Sequence, residues 1–300
     1  MMRAAAITAV LGCTLPTLGA IPQEQRPVFR SATDAVTVDV RVAEGRRPVL
    51  DLAATDFLVD DNGARQRVEL EKVESVPLDV SLVIDVSGSV ARSLDDFRRD
   101  VVDVVALLRP IDRVRLVTFG DDVREDSAMQ PTTAQMPVGQ IKVRGGTSLN
   151  DGVFYGLAWP ANPERRHLVV VLTDGADTSS ALDHESLPLL ARRSDATVYA
   201  VFTGTAPPST SPGLGASRSA LQRAAVETGG LTFSERNLTQ GFRQILDDFR
   251  TSYILRYTRQ GAETEGWHAL TVSIARPGSF TVRARRGYFV TAGSSRSSNH

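Results

Sequence analysis

The order of hydrophobic and polar positions divides the chain into three parts with different periodicities. In residues 34–77, apolar side chains fall at alternate positions, which is typical of half-buried antiparallel strands. From residue 78 to residue 250, short apolar runs alternate with stretches in which apolar residues recur at helical spacing. Residues 251–290 return to the strand pattern. The pattern therefore predicts a central α/β part between two β segments.

The central part predicts a doubly wound, mostly parallel sheet. The run HLVVVLT at 167–173 is apolar on both faces, which suits a strand inside a parallel sheet that helices cover on each side. We predict strands at 78–86, 114–119, 167–173, 197–203 and 231–235, and helices at 94–108, 148–158, 184–193, 217–228 and 238–250.

Each outer β segment is too small to bury a core of its own. We therefore expect residues 34–77 and 251–290 to pack together as one small antiparallel domain, with the α/β domain of residues 78–250 inserted between them. Two independent β appendages are the alternative. Asp61-Asn62-Gly63 predicts a hairpin turn, because Asn and Gly tolerate positive φ. Residues 280–290, FTVRARRGYFV, read as one strand with an exposed basic face, and a patch for an anionic polymer is the alternative.

The two ends of the chain carry targeting and linker signals. Residues 1–20 have a basic start, an apolar run and a terminal small residue, as a cleaved export signal does, and the run is too short for a membrane anchor. Residues 21–33 read as a polar linker, and residues 291–300 as a Ser-rich disordered tail. We therefore expect an exported protein of the periplasm, the outer envelope or the extracellular space, without a transmembrane segment.

Composition narrows the compartment and the class of partner. Cys13 is the only cysteine, so the mature chain forms no disulfide, which suits a bacterial envelope or secreted protein. VLGC at 10–13 resembles a lipoprotein cleavage box, so a lipid anchor at Cys13 and a cleaved soluble form both stay open. The 34 basic and 35 acidic residues nearly cancel, which gives no electrostatic attraction for nucleic acid or an acidic membrane surface.

Three polar segments follow predicted strands, at the edge where ligands bind to parallel sheets. The segments are DVSGS at 85–89, GGTSLND at 145–151 and TDG at 173–175. The side chains that they bring to this edge are Asp85, Ser87, Ser89, Thr147 and Asp174. All of these donors are oxygens, the ligands that Mg²⁺ prefers and that Mn²⁺ or Ca²⁺ also accept. For Asp85 and Ser87 taken alone, a strand-end Asx turn is the alternative.

DVSGS, GGTSL and LTDG, in this order and each behind a predicted strand, resemble the three parts of the metal-ion-dependent adhesion site of von Willebrand factor A domains. The resemblance covers residues 78–250. Val90 departs from the methionine of many relatives, at a position that is not a ligand. PLDVSLVIDVSGS and RARRGYFV add a resemblance to an exported acidobacterial group of such proteins.

The resemblance implies a mode of binding. Ser87, Ser89 and Thr147 would contact the cation through hydroxyls, and Asp85 and Asp174 would act largely through water. Neutral hydroxyls leave most of the cation's charge uncompensated, so an Asp or Glu carboxylate of a protein partner would complete the coordination shell. The implied function is an exported, non-enzymatic adhesion module; an envelope assembly component in which the metal is only structural is the alternative.

A metal-dependent hydrolase is a third function class. Of the four histidines, only His184 follows a segment at the predicted metal edge, and the sequence lacks a G-x-S-x-G motif. Metal-assisted hydrolysis also needs a base and usually more carboxylate ligands. We therefore expect no enzymatic activity.

The residues surrounding the three segments have ordinary interpretations. Asp151 in the first turn of a helix suits the helix dipole, Asp177 reads as a loop acid, and Asp122 is expected to be solvated. The Pro-, Ser- and Gly-rich segment 203–216 is long for a strand-to-helix connection, and we expect it to help select the partner.

Overall fold

The computed structural model describes residues 35–73, 76–88, 94–160, 162, 164–203, 214–235, 237–261 and 265–290. The predicted export signal, linker and tail lie outside these ranges, as do Cys13, Ser89 and most of segment 203–216. Among the helices in these ranges, none combines the length and the apolar character needed to cross a bilayer.

Strands and helices follow one another largely as the periodicities predict. The strands are β1 (Ala35–Glu44), β2 (Arg47–Pro48), β3 (Phe57–Asp61), β4 (Ala64–Gln66), β5 (Glu69–Glu71), β6 (Leu78–Asp85), β7 (Arg113–Phe119), β8 (Val123–Pro131), β9 (Arg166–Thr173), β10 (Thr197–Phe202), β11 (Thr232–Ser234), β12 (Tyr253–Thr258), β13 (Gly266–Ile274), β14 (Phe280–Ala284) and β15 (Gly287–Val290). The helices are α1 (Leu94–Ala106), α2 (Leu149–Leu157), α3 (Ser186–Arg193), α4 (Leu214–Glu227) and α5 (Leu238–Arg250).

Six strands form the central sheet in the order β11-β10-β9-β6-β7-β8. Neighbours from β11 to β7 run parallel, and β8 runs antiparallel to β7, so the sheet is mixed. The sequence pattern does not predict β8, because its mostly polar sequence VREDSAMQP lacks apolar alternation. An edge strand tolerates such side chains, since only one of its sides is paired. The α/β class and the mostly parallel sheet are therefore found, and the doubly wound order stays a prediction.

Two hydrophobic clusters flank the central sheet. Successive residues of β6 contribute to different clusters: Leu82 and Ile84 belong to one, and Val83 belongs to the other. Because side chains of a strand point alternately to opposite faces, the clusters lie on the two faces of the sheet. Residues of α1 and α5 complete the first cluster, and residues of α2, α3 and α4 complete the second. All eight residues of β6 are buried, including the polar Asp79, Ser81 and Asp85.

Two antiparallel sheets, here called the flanking sheets, are built jointly from strands at both ends of the described chain. In the first, β1 pairs with β2, β12 and β14, and β12 pairs with β5. In the second, β13 pairs with β15 and β3, and β3 pairs with β4. Residues of both sheets, among them Val40, Val59 and Leu255, form one hydrophobic cluster. Strands on either side of the central domain thus supply each other's pairing partners.

The run 280–290 forms two strands instead of the single strand that the sequence predicts. β14 lies in the first flanking sheet and β15 in the second. The two arginines between them bind residues of the α/β domain, although Arg286 stays exposed. Arg285 donates to the carbonyl of Ser194 (2.7 Å), and Arg286 pairs with Glu227 (3.2 Å). The basic run therefore joins the flanking sheets to the α/β domain.

The flanking sheets contact the edge of the central sheet at which β9 begins. Arg166, the first residue of β9, pairs with Asp39 of β1 (2.6 Å). Arg283 of β14 pairs with Asp248 near the end of α5 and donates to the carbonyl of Gly229 (2.9 Å). Parallel strands share a direction, so these contacts lie at the opposite edge from the predicted metal ligands.

Asp61 organises the interior of the flanking sheets. It ends β3 just before the turn residues Asn62 (φ 49°) and Gly63 (φ 82°), and their positive φ values confirm the predicted hairpin. Its carboxylate is fully buried and lies 2.7 Å from Nδ1 of the fully buried His268. The hydroxyl of Tyr257 donates to the second carboxylate oxygen (2.9 Å), as does that of Tyr288 (2.6 Å). Burial raises the pKa of both tyrosine hydroxyls, which keeps them protonated as donors.

We expect Asp61→Ala to lower the free energy of unfolding by about 3 kcal/mol or more, because it leaves buried polar groups without their shared partner. The matched control is Asp60→Ala on the same strand, which removes a partly exposed ion pair with Arg65 and should cost less than about 1 kcal/mol. Urea-induced unfolding monitored by tryptophan fluorescence measures both values. Equal losses in the two variants would contradict the organising role of Asp61.

Candidate metal site

The carboxyl ends of β6, β7 and β9 meet at one edge of the central sheet, because these strands run parallel. β6 ends at Asp85. Two residues later, Ser87 forms a parallel β-bridge with Arg144, whose amide donates to the carbonyl of Val86 (2.9 Å). This bridge brings the segment that contains Thr147 alongside the residues that follow β6.

Asp85 is completely buried, and both of its carboxylate oxygens accept hydrogen bonds. Oδ1 accepts from the backbone amide of Ser87 (2.9 Å), which is the Asx-type turn that the sequence leaves open as an alternative. Oδ2 accepts from the hydroxyl of Thr173 (2.8 Å), at the end of β9. The second bond joins two strand ends that lie far apart in the sequence. A carboxylate has more lone pairs than these two bonds use, so Asp85 can still accept a hydrogen bond from a water that is bound to a cation.

The charge of Asp85 is poorly compensated by its protein surroundings. Burial raises its pKa to about 6, and hydrogen bonds from Ser87 and Thr173 offset only part of that effect. Repulsion from Asp174 makes a smaller contribution to this rise, which places the two predicted carboxylates within electrostatic reach of each other. Within the described ranges no arginine or lysine forms an ion pair with Asp85. A divalent cation nearby would favour the ionised form.

The Thr147 segment is tied to the loop that follows Asp174. Thr147 is buried; its amide donates to the hydroxyl of Thr178 (3.0 Å), and its carbonyl accepts from the amides of Thr178 (2.8 Å) and Ser179 (3.2 Å). The Thr147 segment is therefore held against the loop that follows the third predicted segment. The amide and the carbonyl of Thr147 make these hydrogen bonds, and its hydroxyl takes no part in them.

Asp174 is partly exposed and accepts a hydrogen bond at Oδ1 from the amide of Ala176 (2.9 Å). The guanidinium of Arg218 donates to the carbonyl of Asp174 (3.0 Å) and lies over the ring of Phe202, 3.7 Å from its centre. Arg218 is not predicted from the sequence, because a single arginine in a predicted helix carries no local signal. Its charge lies close enough to Asp174 to interact with that carboxylate.

Two acids outside the predicted ligand set hold the surrounding loops in place. Asp177 accepts from the amide of Asn150 (2.9 Å) and from the hydroxyl of Ser180 (2.6 Å). Asp151 accepts hydrogen bonds from the amides of Ala181 (2.8 Å) and Leu182 (2.9 Å). The interpretation of Asp151 through the helix dipole alone is therefore incomplete. Both acids connect the start of α2 with the loop after Asp174.

The other candidates at this edge have partners of their own. Asp122 forms ion pairs with Arg124 (2.8 Å) and Arg144 (2.9 Å), and His184 lies 3.2 Å from Asp183. Among the described residues, no group of three or more His, Cys, Asp and Glu is placed to hold a metal ion. A site built largely from hydroxyls does not belong to that type. Ser89 lies outside the described residues, so four of the five predicted ligands have a structural position.

A mostly parallel α/β domain with buried aspartate, serine and threonine side chains at its carboxyl edge defines a class of ligand-binding domains. The family model of the von Willebrand factor type A domain matches residues 79–248, more than half of the chain. The chain therefore belongs to this family. A comparison with curated proteins finds no match.

Several solved structures are similar to this chain. An aerotolerance-related membrane protein from Bacteroides fragilis is 17% identical, covers 57% of this chain and 98% of its own, and has a TM-score of 0.45. The PilB minor pilin from Streptococcus sanguinis is 17% identical, with 59% and 62% covered and a TM-score of 0.42. The pilus adhesin SpaC from Lactobacillus rhamnosus GG is 10% identical, with 77% and 47% covered and a TM-score of 0.44.

The burial of Asp85 leads to a prediction about Asp85→Asn. Folding raises the pKa of Asp85 from 3.8 to about 6, so ionisation works against the metal-free fold as pH rises through this range, by at most about 3 kcal/mol at neutral pH. In EDTA at neutral pH, Asp85→Asn should therefore melt at a higher temperature than the parent protein. Excess MgCl₂ should raise the melting temperature of the parent and leave that of the variant unchanged.

Asp183→Asn is the matched control, because Asp183 is an exposed acid of the neighbouring loop. This variant should keep the parent's response to MgCl₂ in the same differential scanning calorimetry experiment. A response to MgCl₂ that persists in Asp85→Asn would show that the cation binds elsewhere.

Proposed function

We propose that this chain is an exported, non-enzymatic binding protein that engages a protein partner through a divalent cation. The proposed ligands are Asp85, Ser87, Ser89, Thr147 and Asp174. The proposed ion is Mg²⁺, with Mn²⁺ or Ca²⁺ as alternatives. Membership of the von Willebrand factor type A family supports a role in protein interaction.

The observation that carries the proposal is the surroundings of Asp85. A fully buried carboxylate with a raised pKa is costly unless positive charge compensates it, and a cation bound at this edge would supply that charge. The donor set also fits. Ser87 and Thr147 are buried hydroxyl side chains beside the strand ends, and oxygen donors suit a hard cation.

The composition of the site favours an outside carboxylate as the final ligand. With only two acids and three hydroxyls in the proposed set, the cation would keep much of its positive charge. An Asp or Glu side chain from a partner would then gain a strong electrostatic interaction in a partly desolvated place. The flanking sheets contact the opposite edge, so in the described part of the chain they leave this approach open.

Export and anchoring are the sequence-based part of the proposal. Residues 1–20 support export to the periplasm, the outer envelope or the extracellular space, and Cys13 supports a lipid anchor as one of two processed forms. The polar, Pro-containing segment 21–33 would then separate the folded domains from the membrane or the cleavage point.

The test is affinity capture from envelope extracts with the purified protein, in MgCl₂ and in EDTA. We expect partners that are captured only in MgCl₂, and no capture after the carboxylates of the extract are converted to amides with carbodiimide and glycinamide. Thr147→Val removes one hydroxyl at constant shape and should weaken Mg²⁺ binding by about tenfold or more and abolish the capture.

Thr281→Val, an exposed threonine of β14 in the first flanking sheet, is the matched control and should capture as the parent does. Capture that survives EDTA or amide conversion would refute the metal-carboxylate mechanism. A melting temperature that rises with MgCl₂ without any metal-dependent capture would instead favour the structural role of the cation.

A further inference from the structure

A cavity of about 490 Å³ lies between the flanking sheets and the edge of the central sheet at which β9 begins. Its lining includes Asp39 of β1, Arg166 and His167 of β9, Asp195, Arg285 and Tyr288. The volume lies within the range of pockets that bind small organic molecules. This interdomain cavity is separate from the candidate metal site, because the eight residues of β9 span roughly 25 Å between the two edges.

Arg166 presents unused hydrogen-bond donors to this cavity. Its side chain is 4% exposed; Nη2 donates to the carbonyl of Phe249 (3.2 Å) and to the hydroxyl of Ser252 (2.8 Å) and pairs with Asp39 (2.6 Å). Its other two nitrogens, Nε and Nη1, are buried and have no hydrogen-bond partner in the described part of the chain. A buried donor without a partner raises the free energy of the folded state. These two nitrogens therefore point to an occupant of the cavity that accepts hydrogen bonds.

His167 lies on the other face of the sheet from Arg166, because successive side chains of a strand point to opposite faces. Its Nε2 lies 3.0 Å from the hydroxyl oxygen of Ser81, and its Nδ1 lies 3.6 Å from Asp195. His167 therefore borders the cavity but is not a second donor to the atoms that Arg166 would bind.

The charge of the lining also favours an anion. The lining contains five arginines and four acids, and the ion pair between Arg166 and Asp39 leaves an excess of one arginine. Burial lowers the pKa of the Arg285 guanidinium, which indicates a cation that its surroundings stabilise incompletely. Apolar and aromatic side chains, among them Val36, Tyr288 and Phe289, line the rest of the space.

We propose that the interdomain cavity binds a small organic oxyanion, a carboxylate or a phosphate, whose oxygens accept hydrogen bonds from Arg166. The apolar body of the ligand lies against Tyr288 and its neighbours. Such a ligand provides acceptors for the two unused donors of Arg166 and adds negative charge where arginines slightly outnumber acids. The site needs no divalent cation and does not rest on the proposed function of the other edge.

Isothermal titration calorimetry of the full chain in EDTA tests the proposal with four probes: benzoate, phenylphosphate, inorganic phosphate and benzylamine. Saturable binding of benzoate identifies a carboxylate site, and tighter binding of phenylphosphate identifies a phosphate site. Inorganic phosphate should bind more weakly than phenylphosphate, because it lacks an apolar body, and benzylamine should not bind. The absence of saturable heat with all three anions, or equal binding of benzylamine, would overturn the proposal in favour of a water-filled cavity.

Variants locate the binding. Arg166→Gln should weaken the tightest anion by about tenfold, the loss expected for a charge-assisted hydrogen bond. Because Arg166 also bonds to several neighbours, its replacement could disturb the fold. Arg193 is an exposed arginine of the cavity lining, so Arg193→Gln should keep the fold. This second variant should weaken binding by about threefold. Arg276→Gln, which lies outside the cavity and pairs with exposed Asp51, is the control and should bind as the parent does. Equal weakening in Arg276→Gln would mean nonspecific attraction and would refute the site.

Discussion

The carboxylate of Asp85 is a negative charge inside a protein, and the surroundings of the candidate site are arranged about it. It lies at the end of a strand that is buried along its whole length, so water cannot stabilise it. The amide of Ser87 and the hydroxyl of Thr173 stabilise it in part, and repulsion from Asp174 works in the opposite direction. Positive charge nearby would favour the ionised form of this acid, and a cation bound at this edge would supply that charge.

Strand direction separates the two edges of the central sheet. The parallel strands end where the candidate metal ligands lie, and the flanking sheets attach where β9 begins, through Arg166, Arg283 and Arg285. The proposed partner binding at one edge would therefore not compete for surface with the domain attachment at the other. The attachment edge also encloses the interdomain cavity, so its polar lining follows from joining two domains through arginines.

Local patterns in the sequence predict most strands and helices, because burial imposes a period of two on strands and of 3.6 on helices. They miss β8, a polar edge strand, and they merge β14 and β15, since nothing local marks the change of sheet at Arg285. Three motifs are enough to propose the ligand set. They do not reveal the hydrogen bond from Thr173 to Asp85 or the position of Arg218 beside Asp174, because those contacts depend on strand and helix pairs far apart in the chain.

In the proposed site, residues from three separate segments converge on one divalent cation. This convergence can be observed in a crystal structure of the protein grown with MnCl₂, with data collected at a wavelength where manganese scatters anomalously. We expect one strong anomalous peak at the carboxyl edge of β6, within coordination distance, roughly 2.0–2.3 Å, of the hydroxyls of Ser87 and Thr147. A map without a peak at this edge, with Asp85 ionised and the loops ordered, would contradict it.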